Sequence, residues 1–272
     1  MNPPLEKVEP FTEAVKRQLE ILKSTQRTKV FPRAALSDDQ LDKVILCIWC
    51  LCYSGMQWRT VGLLSGVPFE TVYSCFSRWE RLGLWTNLLI DLFRRWRTAC
   101  GDHPDPSVVI MDSRSCRSSP TCGKRGIDGG KKVKGIKMNI IVDKHGFPLS
   151  IVIATANTHD TTGILPGLKA ISARGFRGKA LGDLSYRGGT LQAQGLDLGI
   201  TIDTKAGGAK GTFVPTGLRW VVERSFAWLS RYRRLNTIFE RTDTSLIAFV
   251  RIAFISILAC RLHRLETAEN HA

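Results

Sequence analysis

Ser107-Val108-Val109-Ile110-Met111-Asp112 is the stretch on which the fold turns. Four consecutive apolar residues follow the loop residues Asp105 and Pro106 and run into a carboxylate. A short unbroken apolar run of this kind, rich in β-branched residues, is the pattern of a strand buried on both faces. A charged residue at the end of such a strand sits where a buried sheet meets solvent or a ligand. The same texture returns at Lys179-Ala180-Leu181-Gly182-Asp183-Leu184, a second short strand that presents a carboxylate.

Between the two lie further elements. Residues 116–136 are rich in Gly, Ser and Lys and read as a mobile loop. Met138–Val142 reads as a strand, Asp143-Lys144-His145-Gly146 as a tight turn, and Leu149–Ala156 as the returning strand. Thr161–Ala173 has helical character, Ile200–Thr204 is a fifth strand, and the chain is helical from Thr216 onward with a break near Arg241-Thr242-Asp243. Three strands in an antiparallel meander, then parallel crossovers, is the strand order of a ribonuclease-H-like (retroviral-integrase-like) α/β fold with a mixed sheet.

Upstream, Gly101-Asp102-His103-Pro104-Asp105-Pro106 reads as a boundary loop. It separates a catalytic span, 107–266, from an N-terminal all-α helical domain, 36–100. In that domain Ser37 offers an N-cap for a helix running to Tyr53. Gln57–Leu82 shows two helical periods broken at Ser65-Gly66-Val67-Pro68. Val61, Leu64, Val67, Val72, Phe76 and Trp79 would face inward and Thr71, Ser74, Ser77 and Arg78 outward. Both a helix-turn-helix and an ordinary helical hairpin fit this pattern. A third helix covers Leu84–Cys100, and residues 1–35, polar and proline-bearing, read as an arm without fixed structure.

Lys plus Arg is 39 against 24 Asp plus Glu, a net charge of +15, which points to a nucleic-acid partner. The N-terminus is polar, with no export signal, and the apolar runs Val44–Tyr53 and Ile247–Cys260, the latter holding Arg251, read as buried helices. A cytoplasmic, nucleoid-associated protein with no membrane and no small-molecule cofactor is the expectation. Cys47, Cys50 and Cys52 lack the second spaced pair a zinc site needs, as Cys116 and Cys122 have no nearby His, so these read as small buried apolar residues.

Phosphodiester transfer uses two divalent cations about 3.5–4 Å apart, held by carboxylate oxygens. Strand ends supply two candidates, Asp112 and Asp183. A third, Glu223, lies in the helical stretch Arg219-Trp220-Val221-Val222-Glu223-Arg224, whose apolar face holds Val222, Phe226 and Leu229.

These motifs resemble the DDE transposases of bacterial insertion sequences, in particular the IS-five family and its close relatives. The matching segments are I-M-D-S-R (110–114), K-K-V-K-G-I-K (131–137), V-D-K-H-G-F-P-L (142–149), A-N-T-H-D (156–160), L-G-D-L-S-Y-R-G (181–188) and R-W-V-V-E-R-S-F-A-W-L-S-R-Y-R-R-L (219–235). Q-W-R (57–59), T-V-Y (71–73), F-S-R-W (76–79) and G-L-W (83–85) resemble the family's small helical domain. The resemblance implies that Asp112, Asp183 and Glu223 are a metal-binding triad for two Mg²⁺ or Mn²⁺ ions per active site. It implies binding to the element's terminal inverted repeats, hydrolysis at the element end with water as nucleophile, and attack of the freed 3′-hydroxyl on target DNA. Two ends held together imply self-association on DNA. Alternatives are a nuclease on the same fold and a decayed, non-catalytic DNA-binding protein.

The chain departs from the family pattern at Thr216, where a Tyr is usual, at Ser230, where a Lys is usual, and at Leu184-Ser185, where a Gly precedes the Tyr. Candidate DNA contacts are Arg219, Arg224, Arg231, Arg233 and Arg234 around the Glu223 helix, Lys131, Lys132, Lys134 and Lys137 near the predicted loop, and Arg59 and Arg78 in the helical domain. Asp160 reads as a helix N-cap and as an accessory site residue, His145 as an exposed turn residue, and Trp220 and Trp228 as core.

Overall fold

The computed structural model of the chain describes residues 5–25, 29–32, 35–204 and 219–269. In chain order the elements are α1 (Leu5–Thr25), α2 (Asp38–Ser54), α3 (Trp58–Ser65), α4 (Phe69–Arg81), α5 (Leu84–Ala99), β1 (Val108–Ser118), β2 (Gly126–Asp128), β3 (Val133–Val142) and β4 (Pro148–Thr155). They continue with α6 (Asp160–Ala173), β5 (Gly178–Leu181), α7 (Gly189–Asp197), β6 (Ile200–Asp203), α8 (Arg219–Leu229), β7 (Thr237–Ile238) and α9 (Asp243–Glu269). Two compact units result: residues up to 104 with 231–235 and the chain from 244 onward, and residues 105–230 with 236–243.

The helical unit is built around α9. This helix is apolar on nearly every side, so it must be enclosed. It is long and apolar enough to cross a membrane, yet its most apolar stretch is largely buried among other helices. Trp49 Nε1 on α2 donates to Ser256 Oγ at 2.9 Å, and Phe76 on α4 stacks on Phe249 with centroids 4.7 Å apart. Arg251 of α9 pairs with Glu80 of α4 at 2.9 Å. Burial pushes the Glu80 carboxyl up and the Arg251 guanidinium down, and each charge partly offsets the shift of the other. The expected catalytic span 107–266 is therefore corrected, because 244 onward belongs to the helical unit. The apolar surface of α9 finds its partners on α2 and α4, far away in sequence.

The reading of residues 1–35 as an arm is also corrected. Residues 5–25 form α1, and Phe11, Val15, Leu19 and Leu22 are buried at i, i+4, i+8 and i+11, a single helical stripe. Polar residues on the opposite face hide that stripe in the composition. Ser37 caps α2 with a full capping box with Gln40, as its sequence position predicts. Leu64, expected inward, is 75% exposed on the last turn of α3.

The second unit is a ribonuclease-H-like core. Its sheet runs β2-β3-β1-β5-β6, with β4 also on β3 and β7 on β1. β1 pairs antiparallel with β3 from Ile110↔Val142 to Arg117↔Gly135 and parallel with β5 from Val108↔Lys179 to Ile110↔Leu181. β5 continues parallel to β6. One face of the sheet buries Val109, Met111, Ile141, Ala180 and Ile202 against Ile164, Leu168 and Ile171 of α6 and Leu191 of α7. The turn between β3 and β4 is the predicted tight one. Gly146 takes φ +89° there, and the fully buried Asp143 carboxylate accepts the His145 and Phe147 amides at 3.0 and 3.1 Å.

Residues 116–136 are not simply a loop. β1 runs on to Ser118, β2 occupies Gly126–Asp128 and β3 begins at Val133. Strand pairing with β3 and β7 orders this Gly- and Ser-rich segment, which local propensity alone would leave irregular.

The packing of α1 yields a stability prediction. Leu19→Ala should lower the unfolding free energy by about 2–5 kcal/mol in urea titration, the cost of a buried Leu truncation. A change under about 0.5 kcal/mol, the surface range, would restore the arm reading.

Candidate active site

Asp112 lies on β1 two residues past the last β1–β5 pair, Ile110↔Leu181, and Asp183 lies two residues past the same pair on the other strand. The parallel register thus brings the two aspartates level, Asp112 within β1, which runs on to Ser118, and Asp183 just past the carboxyl end of β5. Alternation sets their face. Met111 and Ala180 face α6 and α7, so Asp112 and the Leu181–Asp183 end face the other way. Both aspartates are half-buried. Asp112 Oδ1 accepts the Ser113 amide at 2.7 Å.

Asp183 caps a 3₁₀ turn over Leu184–Tyr186, its Oδ1 accepting the Ser185 amide at 2.9 Å and the Ser185 hydroxyl as well. The Leu184-Ser185 departure is absorbed in this turn: Leu184 points outward, about half exposed, and Ser185 holds the carboxylate. Gly182 makes room for the turn, since a Cβ there would meet Tyr186 Cδ2 at 2.7 Å and Met111 Cε at 2.9 Å.

Glu223 is on α8, which packs over the face of β1 that carries Asp112. Arg114, two residues along β1 and on that same face, donates to the Phe226 carbonyl at 3.2 Å. Ser225 Oγ donates to the Gly146 carbonyl at 2.7 Å and Arg224 to the His145 carbonyl at 2.9 Å, which ties α8 to the β3–β4 turn. Val221, Val222 and Phe226 are buried, while Glu223 is exposed. Among the described residues, no three His, Cys, Asp or Glu side chains stand close enough to hold one metal ion. The structure therefore sets Asp112 and Asp183 level and puts Glu223 on the helix above them, without drawing all three around a single point.

A second carboxylate arrangement adjoins Asp112. Asp160 is not the cap of α6: His159 is, its ring nitrogen accepting the Thr161 amide. Asp160 sits in the first turn, where Oδ1 accepts Ser113 Oγ at 2.6 Å and Lys137 Nζ at 3.0 Å. Burial disfavours the charged Asp160, but the Ser113 hydrogen bond and the Lys137 ammonium outweigh it and hold its carboxyl below the ordinary range. Tyr186 lies in the buried core beside this cluster. Its hydroxyl is pushed far up, first by burial and then by the charges of Asp112, Asp160 and Asp183. Ser113 lies near it but donates to Asp160, and the Tyr186 hydroxyl reaches no partner of good geometry. Lys137 and Asn139 were the sequence signal for this cluster, as polar residues inside a strand that is otherwise buried need internal partners.

Residues 103–202, which contain Asp112, Asp160 and Asp183, match the family model for the transposase DDE domain. The chain is 32% identical over 170 residues, covering 58% of itself and 77% of the relative, to the Burkholderia cepacia protein named "Putative transposase for insertion sequence element IS402". The chain belongs to the DDE transposases of bacterial insertion sequences.

The arginines and lysines of this transposase divide by what they already hold. Lys137 is 8% exposed and is internal to the sheet, bonded to Asp160 and to the Thr158 carbonyl at 2.7 Å. Arg234 is also buried, donating to the Met56 carbonyl at 3.0 Å and lying over the Phe249 ring at 4.5 Å. Arg78 donates to the Lys29 carbonyl. Arg224 is wedged between the rings of Trp220 and Trp228, at 4.2 and 5.0 Å. Trp220, expected in the core, is 51% exposed, whereas Trp228 packs on Phe147 at 5.4 Å.

Lys131, Lys132, Lys134, Arg59, Arg231 and Arg233 are exposed. Arg219 opens α8. Ser230, at the position where the family has Lys, is exposed and donates to the Ala227 carbonyl at 2.7 Å, and Thr216 lies outside the described residues. Cys47, Cys52, Cys75, Cys116, Cys122 and Cys260 are buried.

The depressed Asp160 carboxyl carries a pH signature. Its stabilising contribution is present above the unfolded-state value near pH 4 and is lost as pH falls through the lower folded value. The stability gap between the wild type and Asp160→Asn should therefore be widest near pH 7 and shrink toward zero in acid, read by denaturant unfolding at each pH. A gap independent of pH would show that folding leaves the proton affinity of this carboxyl unchanged.

Proposed function

We propose that Asp112, Asp183 and Glu223 hold two divalent cations, Mg²⁺ or Mn²⁺, and that the transposase uses them to cleave its element's ends and join them to target DNA. The observation that supports this most is the parallel β1–β5 register, which brings two hard oxygen donors level where β5 ends beside β1. Carboxylate oxygens fit a hard cation and not a soft one. When bound, such a cation pair activates the attacking oxygen and stabilises the leaving oxygen of an in-line displacement.

The chain's own residues position that chemistry. Ser113 and Ser185 amides orient the two aspartates by hydrogen bonds, and Arg114 holds α8, with Glu223 on it, over the Asp112 face. Exposed Lys131, Lys132 and Lys134, in and beside the β2–β3 turn, are the phosphate contacts of the catalytic unit, with Arg219 on α8. In the helical unit, α3 and α4 read as the segment that recognises the terminal inverted repeats, with Arg59 on its exposed side. Arg231 and Arg233 add exposed positive charge in that unit. The protein acts in the bacterial cytoplasm on double-stranded DNA and self-associates on it to hold two ends.

The test is cleavage and strand transfer on a labelled duplex carrying the element's own end, with and without Mg²⁺. Metal-dependent joining by the wild type, lost in Asp112→Ala, Asp183→Ala and Glu223→Ala, is the expected result. Hydrolysis without joining would instead identify a nuclease. Salt-sensitive binding without any cutting would identify a non-catalytic DNA-binding protein.

A further inference from the structure

We propose that Asp160, acting through Ser113, is a positioning residue for Asp112, and that Lys137 is kept in the sheet to hold Asp160 in that role. The inference rests on Asp112 being a metal ligand. Its geometry is a continuous chain. Lys137 Nζ donates to Asp160 Oδ1 at 3.0 Å, Ser113 Oγ donates to the same oxygen at 2.6 Å, and the Ser113 amide donates to Asp112 Oδ1 at 2.7 Å.

The chain approaches Asp112 from behind its strand. Ser113 is on the α6 face of β1 and Asp112 on the other, so restraining Ser113 restrains the peptide that orients Asp112. Three elements are tied at this point: β1 through Ser113, β3 through Lys137 and the first turn of α6 through Asp160. A second bond from Lys137 to the Thr158 carbonyl, at 2.7 Å, fixes the segment leading into α6. The fully buried Tyr186 lies beside the same cluster, within reach of the charges of Asp112 and Asp160.

Packing alone does not account for the ion pair. Lys137 and Asp160 have side-chain exposures of 10% and 23%, and removing two charges from water at such sites costs more than apolar residues of similar volume would. Most of this sheet face is filled by apolar side chains from β1, β3, β5, α6 and α7, so an apolar pair would pack there. What an apolar pair cannot do is accept the Ser113 hydroxyl.

The test uses the full chain bound to the element-end duplex. It compares wild type, Ser113→Ala, Asp160→Asn, the double variant Lys137→Met/Asp160→Leu, and Asp112→Ala. Mn²⁺ binding is read from the paramagnetic resonance signal of the free ion, beside the thermal unfolding midpoint and the cleavage rate. Ser113→Ala and the double variant should bind Mn²⁺ about 10–100-fold more weakly, the usual effect of losing a residue that orients a ligand. Asp160→Asn should lose less, because its amide oxygen still accepts from Ser113.

The double variant should keep its unfolding midpoint, which separates positioning from folding. Ser113→Ala removes a single hydroxyl and carries the test should the double variant not fold. Wild-type Mn²⁺ affinity in Ser113→Ala and in the double variant, with binding lost in Asp112→Ala, would overturn the positioning role alone. Wild-type affinity in Asp112→Ala would overturn the metal-site reading itself.

Discussion

The register of β1 against its two neighbours is the constraint on which the catalytic unit depends. Eight pairs join β1 to β3 and only three join it to β5, so the antiparallel side sets the strand's position and the parallel side reads it out. The β3–β4 turn, pinned by the buried Asp143 and by Gly146 at φ +89°, fixes where β3 ends and so where β1 lies against it. A slip of one residue would turn Asp112 to the α6 face and Met111 out of the core. The apolar core of Val109, Met111, Ile141 and Ala180 therefore specifies the position of the carboxylates, since any other register exposes that core.

The two faces of the sheet divide the labour. The α6 face is mostly apolar, and its polar residues include Ser113, Lys137 and Asp160, which are hydrogen-bonded together behind Asp112. The α8 face carries Asp112 and Arg114, and α8 is attached to it by side-chain bonds to backbone carbonyls rather than by a ladder. Glu223 is thus carried on a helix held by side-chain bonds, while Asp112 lies within β1 and Asp183 two residues past β5. The β1–β5 register sets the two aspartates against each other but does not set Glu223.

How much of this was legible in the sequence follows from which forces are local. The two short apolar runs could be read because burial on both faces leaves an unbroken apolar stretch, but only β5 stops there, at Leu181 just before Asp183; β1 is carried past Asp112 to Ser118 by its pairing with β3, so the expected strand end at Asp112 is corrected. The Ser37 cap and the Asp143–Gly146 turn were legible for the same reason, as their hydrogen bonds close within a few residues. The segment 116–136 was not, because its order comes from β3 and β7, not from its own residues. Nor was the place of α9. A helix apolar on all sides announces that it is buried but not what buries it, and its partners on α2 and α4 lie far away in sequence, Trp49 standing 207 residues from Ser256. For Glu223 the helix could be read, but its distance from the aspartates is a tertiary quantity without a local trace.

The excess of positive charge needs the same division. A net charge of +15 describes the chain, but Lys137, Arg234, Arg224, Arg78, Arg114 and Arg251 already hold backbone carbonyls, carboxylates or aromatic rings. Each of these contributes to the long-range field while its donors are engaged inside the protein. Among the exposed basic residues, Lys131, Lys132 and Lys134 sit together where β2 turns into β3. That turn is held by Asp128, which accepts the Gly130 and Lys131 amides at 3.1 and 3.0 Å and the Ser115 hydroxyl from β1. The turn in and beside which these lysines lie is therefore tied through Asp128 and Ser115 to β1, the strand that carries Asp112.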